Sequence, residues 1–566
     1  MKRLLVSGLA AGALLVGLAV PPAQAAPAPG VFAPALQLAA SVIQFGPAAA
    51  ALPDGTVAVV WQPSGGSFGV RIRRAGATSF GAAMIKTLAG GHTLGISGSP
   101  TNTPIVKLLA LTSTSFLLGW ADCVGAACSV QVSTLGASAT SIPASVKVSG
   151  SDVATTFEPT FAVLPDGSAA AGWLVTSGGG YSLRVSQRTG VAGAWSAAST
   201  AGLTSLPFDY QVALDSTRSL SALWMSMPGV LFEFRVRSRI GSTWGLPVVA
   251  SSFNPSVFTS LTGLASLTAG GSSTVLAVIE SMSGTSNYAD TNPMAVRVLQ
   301  RTSSSTNWTL TSQVLTGPGR YATTPTVSMT ADGSAVVRFV DFETGVVGTP
   351  TTYQISTFVV QRRGVAGSWS ASTMIDAVSG LDPLSVYSLF RFRPMLLDDG
   401  TYVTPSLRPV LDSGPPETAV VGVGIQTRRS WTGLMSDGPV MGQTMSMGVA
   451  AAVTNASGRT TVVYVGPTAN LKVRTSALPK PAVRSKATLS KSTPRKGQAV
   501  ACSSAWSEAA SLAYKWLRNG SVISGATSKT YTPKSADVGR GLSCRVTGAN
   551  SKGSVASTSV ARTVGS

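Results

Sequence analysis

Residues able to do chemistry are few in this chain, and their spacing excludes most mechanisms. The single histidine, His92, follows two glycines in Gly90-Gly91-His92. One imidazole cannot build a histidine metal cluster and leaves only a lone general base. Gly65-Gly66-Ser67-Phe68-Gly69 has the spacing of a nucleophile elbow, but it runs into the alternating strand pattern Val70-Arg71-Ile72-Arg73, where that motif needs a helix. No Gly-x-x-x-x-Gly-Lys phosphate cradle occurs. Carboxylate chemistry is what remains, since two acids about 5–9.5 Å apart suffice to hydrolyse a glycosidic bond. The acids left over after the repeated turns include Asp122, Asp152, Glu158, Asp209, Glu233, Glu280, Asp290, Asp341, Glu343, Asp376, Asp382 and Glu417. Of these, Asp122, Asp290 with its neighbour Tyr288, and the pair in Asp341-Phe342-Glu343 are the candidate binding residues on rim loops, where connecting segments carry sites. Solvation on loops is the simpler account of these acids, and the favoured one. No residue is assigned as catalytic, and no metal or cofactor is expected.

The elements that must position these residues come from a repeat. Its clearest copy is Leu164-Pro165-Asp166-Gly167, then Ser168 to Trp173, then Leu183-Arg184-Val185-Ser186-Gln187-Arg188, then Gly193-Ala194-Trp195. The pattern reads as an Asp-Gly turn, an apolar inner strand ending in Trp, an alternating strand bearing Arg, and a turn closed by Trp. Further copies lead to Trp61, Trp120, Trp224, Val278, Phe339 and Tyr464, and one starts at Asp399-Gly400, which makes eight by count. A spacing of 50 to 65 residues, read off these copies, fits one four-stranded blade with loop insertions. The chain is therefore expected to be all-β, a seven- or eight-bladed β-propeller with eight favoured by count. A row of small sandwiches is the competing arrangement. The last copy lacks its outer turn, and Leu36 to Ile43 resembles an outer strand, so the N-terminal stretch is expected to complete the last blade. Arg in the alternating strand is expected either to face solvent or to bond a neighbouring blade.

These Asp-Gly and Gly-x-Trp blades resemble exported bacterial propeller proteins, distantly including the sialidase-like superfamily. The sialidase signature Ser-x-Asp-x-Gly-x-Thr-Trp has its nearest match at Arg237-Ser238-Arg239-Ile240-Gly241-Ser242-Thr243-Trp244. Arg stands there at both the Ser and the Asp positions, so sialidase activity is not carried over.

Beyond Leu478-Pro479-Lys480-Pro481 the composition changes. From Lys480 onward there are fourteen Lys and Arg against Glu508 and Asp537, a balance of +12. Cys502, Trp516 and Cys544 are spaced as in an immunoglobulin-like core, and Asn519-Gly520 marks a hairpin turn. This stretch resembles bacterial Ig-like modules, with Leu542 in place of the corner tyrosine. Four cysteines favour two local disulfides, Cys123 with Cys128 and Cys502 with Cys544, among three possible pairings. Met1-Lys2-Arg3, the apolar run from Leu4 to Val20 and Ala23-Gln24-Ala25 read as a cleaved signal peptide. The expected organisation is a signal peptide at 1–25, a propeller at 26–478, a linker at 479–485 and an Ig-like domain at 486–566. The expected product is secreted, extracellular or envelope-associated, and monomeric. It has no transmembrane anchor and no nucleic-acid partner.

Two functions compete on this reading. One is a non-catalytic adhesion protein, its propeller binding a glycan or an extracellular protein and its basic module held on an anionic cell-wall polymer. The other is a glycoside hydrolase or lyase with loop carboxylates on a propeller rim.

Overall fold

The computed structural model describes residues 35–40, 46–95, 105–155, 157–204, 210–227, 232–253, 265–281, 294–315, 320–343, 353–381, 395–396, 402–410, 420–428, 435–437, 450–455, 459–465 and 470–566. Among them the protein is all-β. Eight antiparallel sheets of four or five strands precede a two-sheet sandwich. The first strands of the eight sheets touch one another in sequence order, and that of the eighth touches that of the first, so the sheets form a closed ring of blades. The blade 1 strands are Ala48–Ala51, Val57–Ser64, Ser67–Arg73 and Met84–Thr87, in that spatial order. Blade 3 repeats the arrangement with Thr160–Val163, Ala169–Ser177, Gly180–Arg188 and Ser199–Thr204.

The apolar strand of the repeat, bearing Trp in blades 1 to 4, is the second of its blade, not the innermost. In blade 1 the inner strand is Ala48–Ala51, with Val57–Ser64 outside it. The strand is apolar from Val57 to Trp61 because adjacent blades cover both its faces there. Val57, Val59 and Trp61 pack with blade 8, while Ala58 and Val60 pack with blade 2. Trp61, Trp120, Trp173 and Trp224 are all buried. Gly69 opposite Trp61, and Gly202 near Trp224, leave room for the rings: a Cβ on either would come within 2.4 Å of the indole.

The N-terminal strand Leu36–Ala39 pairs with Leu471–Thr475 and supplies the outer strand of blade 8 (Leu36 opposite Val473, Gln37 opposite Lys472). The chain thus closes its own ring, removing the open sheet edges that invite association. Arginines near the end of the third strand bond back to the preceding blade. Arg301 donates to Ser221 Oγ (3.0 Å) and Asp215 Oδ2 (2.9 Å), Arg239 to Ser199 Oγ (2.9 Å), Arg362 to Gln300 and Arg73 to Thr461 Oγ1 (3.3 Å). Of the two expectations for these arginines, bonding between blades is the one realised here. Burial lowers the Arg301 guanidinium from its usual range, against the Asp215 charge that raises it.

The C-terminal sandwich packs a three-stranded sheet, Ala482–Leu489, Val500–Ser507 and Thr530–Tyr531, against a five-stranded one built on Ser511–Arg518 and Gly541–Asn550. Residues 482–485, expected as linker, already belong to its first strand, because that strand pairs from Ala482 opposite Ser507. Cys502, Cys544 and Trp516 are fully buried, the cysteines are joined, and the Trp516 ring stacks on Tyr531. Asn519 and Gly520 both take positive φ (47° and 81°), which the tight hairpin between Arg518 and Ser521 requires. Among the described residues no helix is long and apolar enough to cross a membrane.

Candidate functional site

A four-stranded meander sends its successive turns to opposite faces of the ring. The Asp54-Gly55, Asp166-Gly167 and Asp332-Gly333 turns, linking first to second strands, lie on one face, here called the turn face. The second-to-third hairpins and the connections between blades lie on the other, the crossover face. The carboxylates of the turns are spent locally. Asp54 accepts from Thr56 N (2.8 Å), Asp166 from Ser168 N (2.8 Å) and Asp332 from Ser334 N (2.9 Å). The Ser168 amide, then Arg218, hold Asp166 below the ordinary carboxylate range despite some burial.

The crossover face of blades 2 to 4 gathers most of the remaining described chemistry. His92 leads into Thr93–Leu94, a short strand that pairs with the end of Ser115–Val124, Thr93 opposite Cys123 and Leu94 opposite Asp122. That register brings His92 Nδ1 to 2.8 Å from Asp122 Oδ1. An ionised carboxylate only accepts, so the ring nitrogen donates. Cys123 faces Cys128 across the hairpin and is bonded to it. Cys128 in turn exchanges both backbone hydrogen bonds with Ala154 (3.0 and 2.9 Å), and Thr155 N donates to Leu174 O (2.9 Å) in blade 3. One backbone ladder therefore runs from Thr93 through both cysteines to Ala154, roughly 14 Å at three strand spacings.

The connection stitched down by this ladder carries Asp152, Phe157 and Glu158. Asp152 Oδ2 accepts from Arg184 Nε (3.0 Å), and Arg184 also donates to Thr200 Oγ1 (2.7 Å). Glu158 Oε2 accepts from Lys107 Nζ (3.0 Å) at the start of the blade 2 inner strand Lys107–Ala110. The Tyr210 hydroxyl donates to the Glu158 backbone oxygen. Burial, then the nearby Glu158 charge, pushes the Tyr210 phenol well above its ordinary value, so it remains a donor. On the same connection Phe157 meets Tyr181 of blade 3 edge to face, ring centroids 5.8 Å apart; both pack against the core shared by blades 3 and 4, and both stay partly exposed.

Sequence reasoning placed its candidates on rim loops, and the structure distributes them otherwise. Asp122 sits on a strand rather than a loop, because the ladder continues to the two-residue turn Gly125-Ala126. It is the candidate brought into this cluster. Asp341 is buried within strand Ala335–Glu343 of blade 6, and Glu343 ends that strand opposite Arg320. Tyr288 and Asp290 lie outside the described residues. Both expected disulfides are formed. Among the described residues no three His, Cys, Asp or Glu stand together as a metal-binding set. Sequence reasoning gave no weight to Phe157, Tyr181, Lys107 or Tyr210. Their signal is positional: each sits at or just before a strand start on the crossover face.

No family model and no curated protein sequence matches the chain. Solved structures are similar to it. An α-L-arabinofuranosidase of family GH93 from Fusarium graminearum, in complex with arabinobiose, is 11% identical over 56% of this chain and 91% of that one, with a TM-score of 0.29. A PL25 ulvan lyase is 10% identical over 67% and 93%, with a TM-score of 0.38. Aleuria aurantia lectin with Fucα1-6GlcNAc is 11% identical over 60% and 97%, with a TM-score of 0.31. At these scores the likeness assigns no residue of the site.

Proposed function

We propose that this is an exported, non-catalytic glycan-binding protein whose crossover face in blades 2 to 4 holds the sugar. One observation carries the reading: the partly exposed Phe157, in edge-to-face contact with Tyr181, sits on the same connection between blades as Asp152 and Glu158, the acids of the pairs Asp152–Arg184 and Glu158–Lys107. Sugar rings present C–H faces that stack on aromatic side chains, and hydroxyls that both donate and accept. Carboxylate–cation pairs offer both kinds of partner in fixed positions. Hydrolysis needs instead two carboxylates across one bond. On this face Asp122, Asp152, Glu158 and Glu233 each face a base.

In this reading residues 1–25 are removed on export, and the two disulfides fit an oxidising compartment. The C-terminal module, +12 from Lys480 onward, associates with an anionic envelope polymer. Affinity electrophoresis of the full chain against a panel of neutral and acidic polysaccharides, with assay of released products, tests the proposal. Retardation without products supports it. Neither retardation nor products on any polysaccharide sinks it.

A lyase is the second reading, favoured by His92–Asp122. A carboxylate-oriented imidazole on a partly exposed side chain has the form of a general base. Unsaturated products that disappear in His92→Ala would select it over simple binding.

A further inference from the structure

The carboxyl of Glu508, in the C-terminal sandwich, is fully buried against the propeller rather than within its own domain. Its Oε2 accepts from Gly76 N of blade 1 (3.0 Å) and from Arg459 Nη1 of blade 8 (3.1 Å), and its Oε1 accepts from the Asn455 amide of blade 8. The Glu508 backbone N–H donates to Asp54 O of blade 1 (2.7 Å). Asn550 Nδ2 donates to both Glu508 O and Pro479 O (2.8 Å each), tying the site to the entry of the module. Two glycines make the fit possible. A Cβ on Gly55 would come within 2.8 Å of the Glu508 carboxyl, and one on Gly76 within 2.8 Å of Ala510. Glu508 itself takes a positive φ of 57°, a conformation that the surrounding contacts must hold.

These partners belong to the two blades where the ring closes. Arg459 and Arg73 are both buried there, Arg73 reaching across the seam to Thr461. Two buried guanidiniums at one seam repel each other, and Glu508 is the carboxylate between them. Burial, then Arg459, lowers Arg73 to about 10, with Glu508 opposing.

We infer that the seam between the first and last blades is a built carboxylate-binding site, that its ligand is Glu508, and that the C-terminal sandwich is the latch that keeps the ring shut. The module and the closed ring then unfold together. This inference is independent of what the crossover face binds, since the seam lies on the turn face.

The test uses the full chain with a protease site inserted after Lys480, cut after folding. The cut wild type elutes as one species in gel filtration, and Glu508→Ala separates into two. Hydrogen exchange at Thr460–Val465 and Leu36–Ala39 rises by roughly a hundredfold or more in Glu508→Ala, as removing one partner of a buried ion pair implies. Should that variant fail to fold, Gly76→Ala attacks the same contact from the propeller side, with the same two outcomes expected. Dissociation of the cut wild type with no change in exchange at the seam overturns the inference. So does a cut Glu508→Ala that stays intact with wild-type exchange.

Discussion

His92 and Asp122 lie thirty positions apart in sequence and meet through Nδ1 and Oδ1 at 2.8 Å. The contact fixes which nitrogen carries the proton in the neutral ring. With one histidine in the chain, a nitrogen-15 spectrum reports it without assignment. The Nδ1–H tautomer is expected to dominate, leaving Nε2 open, and Asp122→Asn is expected to weaken that preference. An Nε2–H tautomer in the wild type contradicts the geometry.

Tyr181→Ala and Phe157→Ala are expected to weaken polysaccharide retention about tenfold each while leaving the melting temperature near wild type, since each ring is partly exposed. Asp332→Ala, on the turn face, serves as the control and is expected to leave retention unchanged. Equal losses in all three would place the sugar elsewhere.

Two ion pairs between blades should differ sharply in worth. Arg301–Asp215 is fully buried (0% for both side chains), whereas Arg218–Asp166 is about half exposed (51% and 44%). Removing one partner of a buried pair leaves a stranded charge at a cost of about 3–5 kcal/mol, while exposed pairs contribute about 0–1 kcal/mol. Asp215→Ala should therefore lower chemical-denaturation stability far more than Asp166→Ala. Asp215 also accepts from Thr217 and Ser219 amides (3.0 and 3.1 Å), which adds to its loss.

Asp537 gives the sandwich an acid limit. Burial pushes its carboxyl up, but the Lys534 amide, Arg518 and Tyr531 outweigh burial and hold it below the usual value. A carboxyl depressed in the folded state contributes stability above its unfolded pKa, near 3.9, and loses it as pH falls through the lower folded value. Unfolding of the sandwich, followed by hydrogen exchange in Ser511–Arg518 and Gly541–Asn550, should become easier below about pH 4 in the wild type. In Asp537→Asn that pH dependence should flatten, at lower stability throughout.

Disulfide loss should also be unequal. On the chain-entropy estimate the 42-residue separation of Cys502 and Cys544 is worth about 4 kcal/mol, and the five-residue separation of Cys123 and Cys128 about 2 kcal/mol. Cys502→Ala with Cys544→Ala should destabilise the sandwich, read by denaturant midpoint. Cys123→Ala with Cys128→Ala should instead loosen the ladder that holds Phe157 and show first in polysaccharide retention.

The architecture was legible because the repeat writes it locally. Asp-Gly needs only its own two residues to demand a turn, and Gly167 and Gly333 take the positive φ (85° and 82°) that the dipeptide implies. The module core was equally legible from Cys502, Trp516 and Cys544. Strand order was not. An apolar run such as Val57 to Trp61 signals cover on both faces but not radial position, so a second strand read as an inner one. The site was legible in His92 and in its acids Asp122, Asp152 and Glu158, each singled out separately. The meeting of His92 with Asp122 depends on Thr93–Leu94 adding to the edge of a strand thirty residues later, a register that no local pattern in His92 announces. Phe157 and Tyr181 escaped notice because single aromatics near strand ends usually belong to cores.

Leu36–Ala39 completes the last blade by pairing with Leu471–Thr475. The first folded residues to leave the ribosome therefore wait for nearly the last of the propeller before finding their partner. Blades can form in turn, each from its own hairpins, yet the circle stays incomplete until almost the whole body has emerged. A chain stopped short of residue 471 has every other blade's sequence but presents two bare strand edges, and such edges invite aggregation. Full-length synthesis is thus a condition for a closed propeller, and truncated products are marked by their own exposed ends.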